Sequence, residues 1–174
     1  MSDAAKTEPA SGHFVVMGVA GSGKTSIGLA LARSLGCDFI DGDDLYPREN
    51  IEKMARGEPL TDDDRRPWLD QVGRALGAHE KPLVVGCSAL KRLYRARIRD
   101  AAQGPVTFLY LQGSRALIAE RMARRQRHFM PLTLLDSQFA ALQEPDADED
   151  AITVSIDQLP EAVVQALVQA IRDR

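Results

Sequence analysis

The sequence predicts a three-layer α/β/α fold, in which helices cover both faces of a parallel sheet. Two observations carry this. Short apolar runs of β character recur at residues 14–17, 39–40, 83–85, 106–111 and 152–156. Segments with helical spacing lie between them, at 24–35, 48–56, 64–78, 89–101, 114–125, 132–142 and 160–172. Strands alternating with helices build right-handed βαβ units, so the strands run parallel and the sheet is covered on both sides. Ligands of such sheets bind beyond the carboxyl ends of the strands.

The first run, Phe14-Val15-Val16-Met17, leads directly into Gly18-Val19-Ala20-Gly21-Ser22-Gly23-Lys24-Thr25. This is G-x-x-x-x-G-K-[ST], the phosphate-binding loop. Small residues let successive backbone N–H groups turn inward around phosphate oxygens. Lys24 reaches the β- and γ-phosphates and Thr25 offers its hydroxyl to Mg²⁺. Ile27, Leu31 and Leu35 then recur at helical spacing. The loop therefore joins a buried strand to a helix N-terminus, whose positive end favours a polyphosphate. Residues 18–25 and Ser26 form the candidate nucleotide site, with Lys24 also a candidate catalytic residue.

The second run ends in Phe39-Ile40-Asp41-Gly42-Asp43-Asp44. This strand is expected to lie beside the phosphate-loop strand, so that its carboxyl end faces the same cleft. Two carboxylates at i and i+2 fit two tasks: one orders Mg²⁺ or its waters, the other holds or deprotonates an acceptor hydroxyl. Farther on, Thr61-Asp62-Asp63-Asp64 precedes a helical stretch. Asp63 or Asp64 is expected to cap that helix. Arg65 is the residue there that can turn a planar donor fork to a carboxylate in the cleft, and Trp68 is expected to pack. The third run ends in Gly86-Cys87-Ser88-Ala89-Leu90-Lys91, whose small residues permit close approach of a ligand. Lys91 is placed on the following helix, facing either the cleft or solvent.

Arg121, Arg124, Arg125, Arg127 and His128 form a basic cluster, and the helical pattern breaks at 128–131. A mobile segment there would act as a lid that excludes water, with arginines that neutralise the transferring phosphoryl group. The acidic stretch 144–150 is read as a solvated connection. Residues 160–172 place Val163, Val164, Leu167, Val168 and Ile171 on one face, with Pro160 in the first turn.

Composition narrows the function classes. The 174 residues are 44% hydrophobic and 27% charged with a formal net charge of −3, which points to one globular domain over 13–174 and to no nucleic-acid or membrane partner. The polar first dozen residues read as a disordered lead-in without the apolar core of a signal peptide. Cys37 and Cys87 form no C-x-x-C pair, and His13, His79 and His128 have no metal spacing. Cytoplasm is the expected compartment.

Several separate stretches then resemble one family. They are Asp41-Gly42-Asp43-Asp44-Leu45-Tyr46-Pro47, residues 57–69, Cys87-Ser88-Ala89-Leu90-Lys91, Tyr94-Arg95, and His128-Phe129-Met130-Pro131 through Ser137-Gln138-Phe139. In this order they resemble the small P-loop gluconokinases, from about residue 14 to the C-terminus. The resemblance implies a nucleoside-monophosphate-kinase-like fold close in plan to shikimate kinase, with a lid around 121–135. It implies ATP-dependent phosphorylation of D-gluconate, with ATP and Mg²⁺, by a protein that forms homodimers. It further implies that Asp43 meets the acceptor hydroxyl as a catalytic residue, and that Asp41 lies nearer the magnesium, with Thr25. Tyr46, Arg65, Gly86, Cys87, Ser88, Lys91 and His128 would line the substrate pocket. Arg121 and Arg124 would hold nucleotide, and Arg127 would act in catalysis. The family usually has His where this chain has Tyr46. From the residues alone, two alternatives stay open: a kinase of another polyhydroxy acid such as shikimate, and a non-catalytic nucleotide switch.

Overall fold

The computed structural model describes residues 12–125 and 132–174. Five strands form one parallel sheet: β1 (His13–Met17), β2 (Asp38–Asp41), β3 (Leu83–Gly86), β4 (Val106–Gln112) and β5 (Ala151–Ser155). Their spatial order is β2-β3-β1-β4-β5, so β3 lies between β1 and β2, which are not the neighbours expected from the sequence; the chain crosses over one strand position before returning. The inner strands β1, β3 and β4 are largely apolar because both of their faces are covered, whereas the edge strands β2 and β5 are only partly buried. Successive side chains alternate between two cores. Phe14 and Val16 join one with Val84, Leu109, Leu111 and Val154. Val15 and Met17 join the other with Leu83, Val85, Phe108 and Tyr110.

Each core is closed by its own helices. On the first face lie α1 (Lys24–Leu35), α5 (Arg115–Arg124), α6 (Leu132–Ala141) and α7 (Pro160–Arg172), through residues such as Ile27, Leu31, Ile118, Leu135, Val163 and Leu167. On the second lie α3 (Asp62–Ala78) and α4 (Arg92–Ala102), through Trp68, Leu69, Val72, Leu76, Tyr94 and Ile98. A short helix, α2 (Arg48–Ala55), and a 3-10 turn over Gly42–Leu45 bridge β2 to α3. The helix C-caps follow simple chemistry: Gly36 ends α1 in the left-handed region, with its N–H on the carbonyls of Ala32 and Arg33.

Three further expectations are corrected. The helix after β3 starts at Arg92, not at residue 89, because Ala89 adopts a left-handed φ of 44° that interrupts any helix. Lys91 is thus the N-cap residue of α4 and not within it. The cap of α3 is Thr61, not Asp63 or Asp64. The Thr61 hydroxyl accepts from Asp64 N, and the Asp64 carboxylate accepts from Thr61 N at 2.8 Å, a reciprocal capping box.

The acidic stretch 144–150 is also more than a solvated connection. Glu149 is buried, and it accepts from Arg95 Nε at 2.7 Å and Nη2 at 3.1 Å. Arg95 is wholly buried and also donates to the carbonyls of Ala89 and Gln143. Arg92 clamps Asp146 and Asp148 at the rim. A buried guanidinium is tolerated only when its donors are all engaged, so this pair fixes the loop against the start of α4.

Hydrogen bonds from Arg95 hold Glu149 at a pKa of about 2, below its ordinary 4.5. A depressed carboxylate contributes stability that is present above pH 4.5 and is lost as pH falls toward 2. Glu149→Ala leaves Arg95 buried and unpaired. It should lower unfolding free energy at neutral pH by about 3–5 kcal/mol, and the variant should lose less further stability on acidification than the parent. Urea melts at pH 7 and pH 3 check both.

Candidate active site

The parallel pairing places the ends of three strands side by side. Val16 pairs with Gly86, and Gly86 with Asp41. From these ends leave the phosphate loop, the Gly42–Leu45 turn and the 87–91 connection. Cys87 N donates to Val16 O at 3.0 Å, and Gly18 N to Ser88 O at 3.3 Å, which ties the third connection to the loop.

The loop fits a triphosphate. Gly23, at φ 95°, is the N-cap of α1, a conformation that L side chains rarely adopt. Among the described residues, the N–H groups of Gly21, Gly23, Lys24 and Thr25 donate to no protein group. The Ser22 hydroxyl is buried with no described partner. Lys24 Nζ folds back on Gly18 O at 3.0 Å and Val19 O at 3.1 Å. Burial lowers its pKa, while the Asp43 and Asp41 charges counter that fall. Thr25 and Ser26 are exposed at the helix start. No group of three or more His, Cys, Asp or Glu placed to hold a metal ion is present among the described residues.

The Gly42–Leu45 turn presents Asp43. Asp41 Oδ1 accepts from Asp43 N at 3.0 Å and so caps the turn. Partial burial and the Asp41 charge raise the Asp43 pKa, and Lys24 opposes the shift. Gly42 is required here: a Cβ would lie 2.4 Å from Gly86 O. Trp68 packs, as expected, and also holds the turn, since its Nε1 donates to Gly42 O at 2.8 Å. Tyr46 stacks on Trp68 with ring centroids 4.2 Å apart.

A cleft of about 580 Å³ opens between this turn, the 57–60 link, the 88–91 connection and α6. Tyr46, Arg65, Ser88, Lys91, Tyr94 and Gln138 are among its lining residues. Its cations are gathered on one carboxylate. Lys91 Nζ meets both Asp62 oxygens at 3.0 and 3.1 Å, Tyr94 OH donates to Asp62 Oδ1, and Arg65 Nη1 stands 3.9 Å from it. Arg65 also donates to Leu60 O at 2.9 Å and to Tyr94 OH at 3.3 Å. Gly86 and Cys87 lie beneath this cleft in the strand end, both buried. Burial pushes the Cys87 thiol up to about 12.

A second hollow lies on the other side of the loop. It is lined by Gly21, Ser22, Gly23, Ser26 and Ile27, by Arg121 and Arg125 of the α5 end, and by Ile156, Gln158, Pro160 and Val163. Arg121 is fixed there by a bond from its Nη2 to Ile156 O at 2.5 Å. Arg124 is not brought to the loop: it pairs with Glu120 at 2.6 Å on the exposed face of α5. The arginine beside Arg121 in the hollow is Arg125, because residues four apart share a helix face. Arg127 and His128 lie outside the described residues.

Asp62, Tyr94, Gln138, Gln158 and Pro160 had not been assigned to a site from the residues. Asp62 reads as a helix-start acid, and it does stand in the first turn of α3; Tyr94 packs into the second core. Gln138 lies in one of the family-like stretches, and no spacing ties it to the phosphate loop, where its Oε1 accepts from Ala20 N.

The family model described as an AAA domain matches residues 14–145. The thermoresistant gluconokinase of Escherichia coli (strain K12) is 45% identical over 163 residues, covering 91% of this chain and 93% of that protein. The crystal structure of a gluconokinase from Sinorhizobium meliloti 1021 superposes with a TM-score of 0.86 at 46% identity, covering 93% of this chain and 92% of that one. Shikimate kinase from Aquifex aeolicus, at 17% identity and a TM-score of 0.62, shares the fold. The P-loop kinase architecture expected from the sequence is thus the one observed.

Replacing Lys24 by Ala removes the cation over the loop and two carbonyl tethers. Turnover should fall by about 100-fold or more, with an unchanged circular dichroism spectrum. Near-parental turnover would overturn the loop assignment.

Proposed function

The chain belongs to the gluconokinase family, and we propose on that basis how its cleft phosphorylates D-gluconate with ATP to give 6-phospho-D-gluconate. The observation that carries the assignment of residues is the cation pair Arg65–Lys91 gathered around Tyr94 and a carboxylate, in a cleft whose Ser88 and Gln138 are hydrogen-bonded to the phosphate loop. An acid bearing hydroxyls along its length suits such a cleft: carboxylate at one end, reacting hydroxyl at the other.

In this reading the free loop N–H groups and Lys24 hold the β- and γ-phosphates. The hollow beside Arg121, Arg125 and Pro160 takes the nucleoside part of ATP. Thr25 and Asp41 would hold Mg²⁺, which neutralises charge on the phosphates when bound. Asp43 accepts a hydrogen bond from the terminal hydroxyl of gluconate and takes its proton as the phosphoryl group transfers. Arg65 and Lys91 turn from Asp62 to the substrate carboxylate. Tyr46 and Ser88 offer hydroxyls to the sugar-acid chain. Phosphoryl transfer asks little covalent work of the protein, so positioning and electrostatics supply most of the rate.

A coupled ADP-release assay over an acceptor panel tests the assignment: gluconate should be turned over, with shikimate and other polyhydroxy acids much slower. In the same assay Arg65→Ala should raise the gluconate KM by about 30-fold or more, since breaking one side of a desolvated charge pair costs about 2–5 kcal/mol. The KM for ATP should stay within about twofold. An equal loss for ATP would remove Arg65 from the acceptor pocket.

Asp43 must be ionised to accept the proton, and its pKa is raised. The rate should therefore fall as pH drops through that raised value. Asp43→Asn should lower kcat by about 10²-fold or more and abolish this acid limb. A pH–rate profile that keeps the limb in the variant would assign it to another group.

A further inference from the structure

Besides the backbone bond between Gly18 and Ser88, a side-chain contact joins the acceptor cleft to the phosphate loop. Ala20 N donates to Gln138 Oε1 at 2.6 Å, between residues 118 apart in sequence. Gln138 belongs to α6, which is anchored in the core by fully buried Leu135, and its side chain lines the acceptor cleft with Arg65, Ser88, Lys91 and Tyr94.

The orientation of the amide follows from its partner. A backbone N–H can only donate, so the oxygen of Gln138 must face Ala20 and the Nε2 amine must face away from it. Among the described residues Nε2 donates to nothing. The half-buried side chain thus carries a pre-oriented donor pair into a cleft that is otherwise supplied with cations at its far end.

We propose that Gln138 is a substrate-binding residue that orients the reacting end of gluconate. Its oxygen is fixed by the Ala20 N–H at the edge of the phosphate cradle, and its amine donates to a gluconate oxygen next to the terminal hydroxyl. The loop that holds the donor phosphates thereby also sets the position of the acceptor. This rests on the gluconate reading above and adds a specificity residue to it. A lysine would suit the place poorly, because it has no acceptor for Ala20 N–H. A glutamate would retain that acceptor, lose the donor and set a negative charge near the phosphates.

The test compares the parent enzyme with Gln138→Ala and the isosteric Gln138→Glu, with melting temperatures measured in parallel. The kcat/KM for gluconate should fall about tenfold in Gln138→Ala and about 100-fold or more in Gln138→Glu. The KM for ATP in Gln138→Ala should stay within about twofold of the parent. Unchanged kcat/KM for gluconate in Gln138→Ala overturns the proposal. So does an equal loss toward ATP, which would make Gln138 a buttress of the loop alone, and so does a Gln138→Glu enzyme at least as active as Gln138→Ala. Failure of the parent itself to release ADP in response to gluconate would instead strike at the functional reading and is seen in the same experiment.

Discussion

The register that sets Val16 beside Gly86 and Gly86 beside Asp41 is the constraint on which the site depends. Parallel strands all end on one edge, so three chain connections with different chemistry leave at one level. The phosphate loop brings backbone donors and a lysine, the second brings two carboxylates, and the third brings the Ser88 carbonyl and Lys91. A slip of one residue in β2 would turn Asp41 to the opposite face of the sheet. Gly42 makes the close approach possible, since any side chain there would strike the Gly86 carbonyl. Trp68 then reaches across from α3 to hold the same turn, so one aromatic links the second core to the position of Asp43.

The legible part of this arrangement was carried by local, periodic signals. The glycine spacing before Lys24 and the apolar stripe after it require a strand, a loop and a helix in that order, and β1 and α1 fall within a residue of the expected bounds. The carboxylates after β2 were legible because a strand end in an α/β sheet is a defined place. Long-range pairings were not legible. The left-handed Ala89 is imposed by its surroundings, including the Arg95 bond to its carbonyl, and no residue preference announces it. The Glu149–Arg95 pair joins residues 54 apart, and an acidic stretch has the same composition whether one of its members is buried or all are solvated. Asp62 was visible as one acid among three, but its hold on Lys91 and Tyr94 depends on the packing of α3 against α4.

The ionisable groups in and around the cleft differ in environment, and that difference bears on which one can take a proton. Cys87 is wholly buried beneath Lys24, and its thiol, near pKa 12, stays protonated at neutral pH. Tyr46 is stacked on Trp68 and its phenol is pushed still further up, by burial first and then by the Asp43 charge. It can give and accept hydrogen bonds but cannot act as a base. The Asp62 carboxylate is held low by hydrogen bonds from Tyr94 and Lys91, which makes it a poor proton acceptor. Asp43, in the turn after β2, is a carboxylate whose affinity for a proton is raised, and the cause is the same partial burial and neighbouring charge that a general base needs. Bound phosphates would add negative charge beside it and favour its protonated form further, while Lys24 and a metal ion would offset that field. In the proposed reading this marks Asp43 as the group that takes the proton of the acceptor hydroxyl. Asp43 is itself positioned by the Asp41 cap and by the Trp68 bond to Gly42 O.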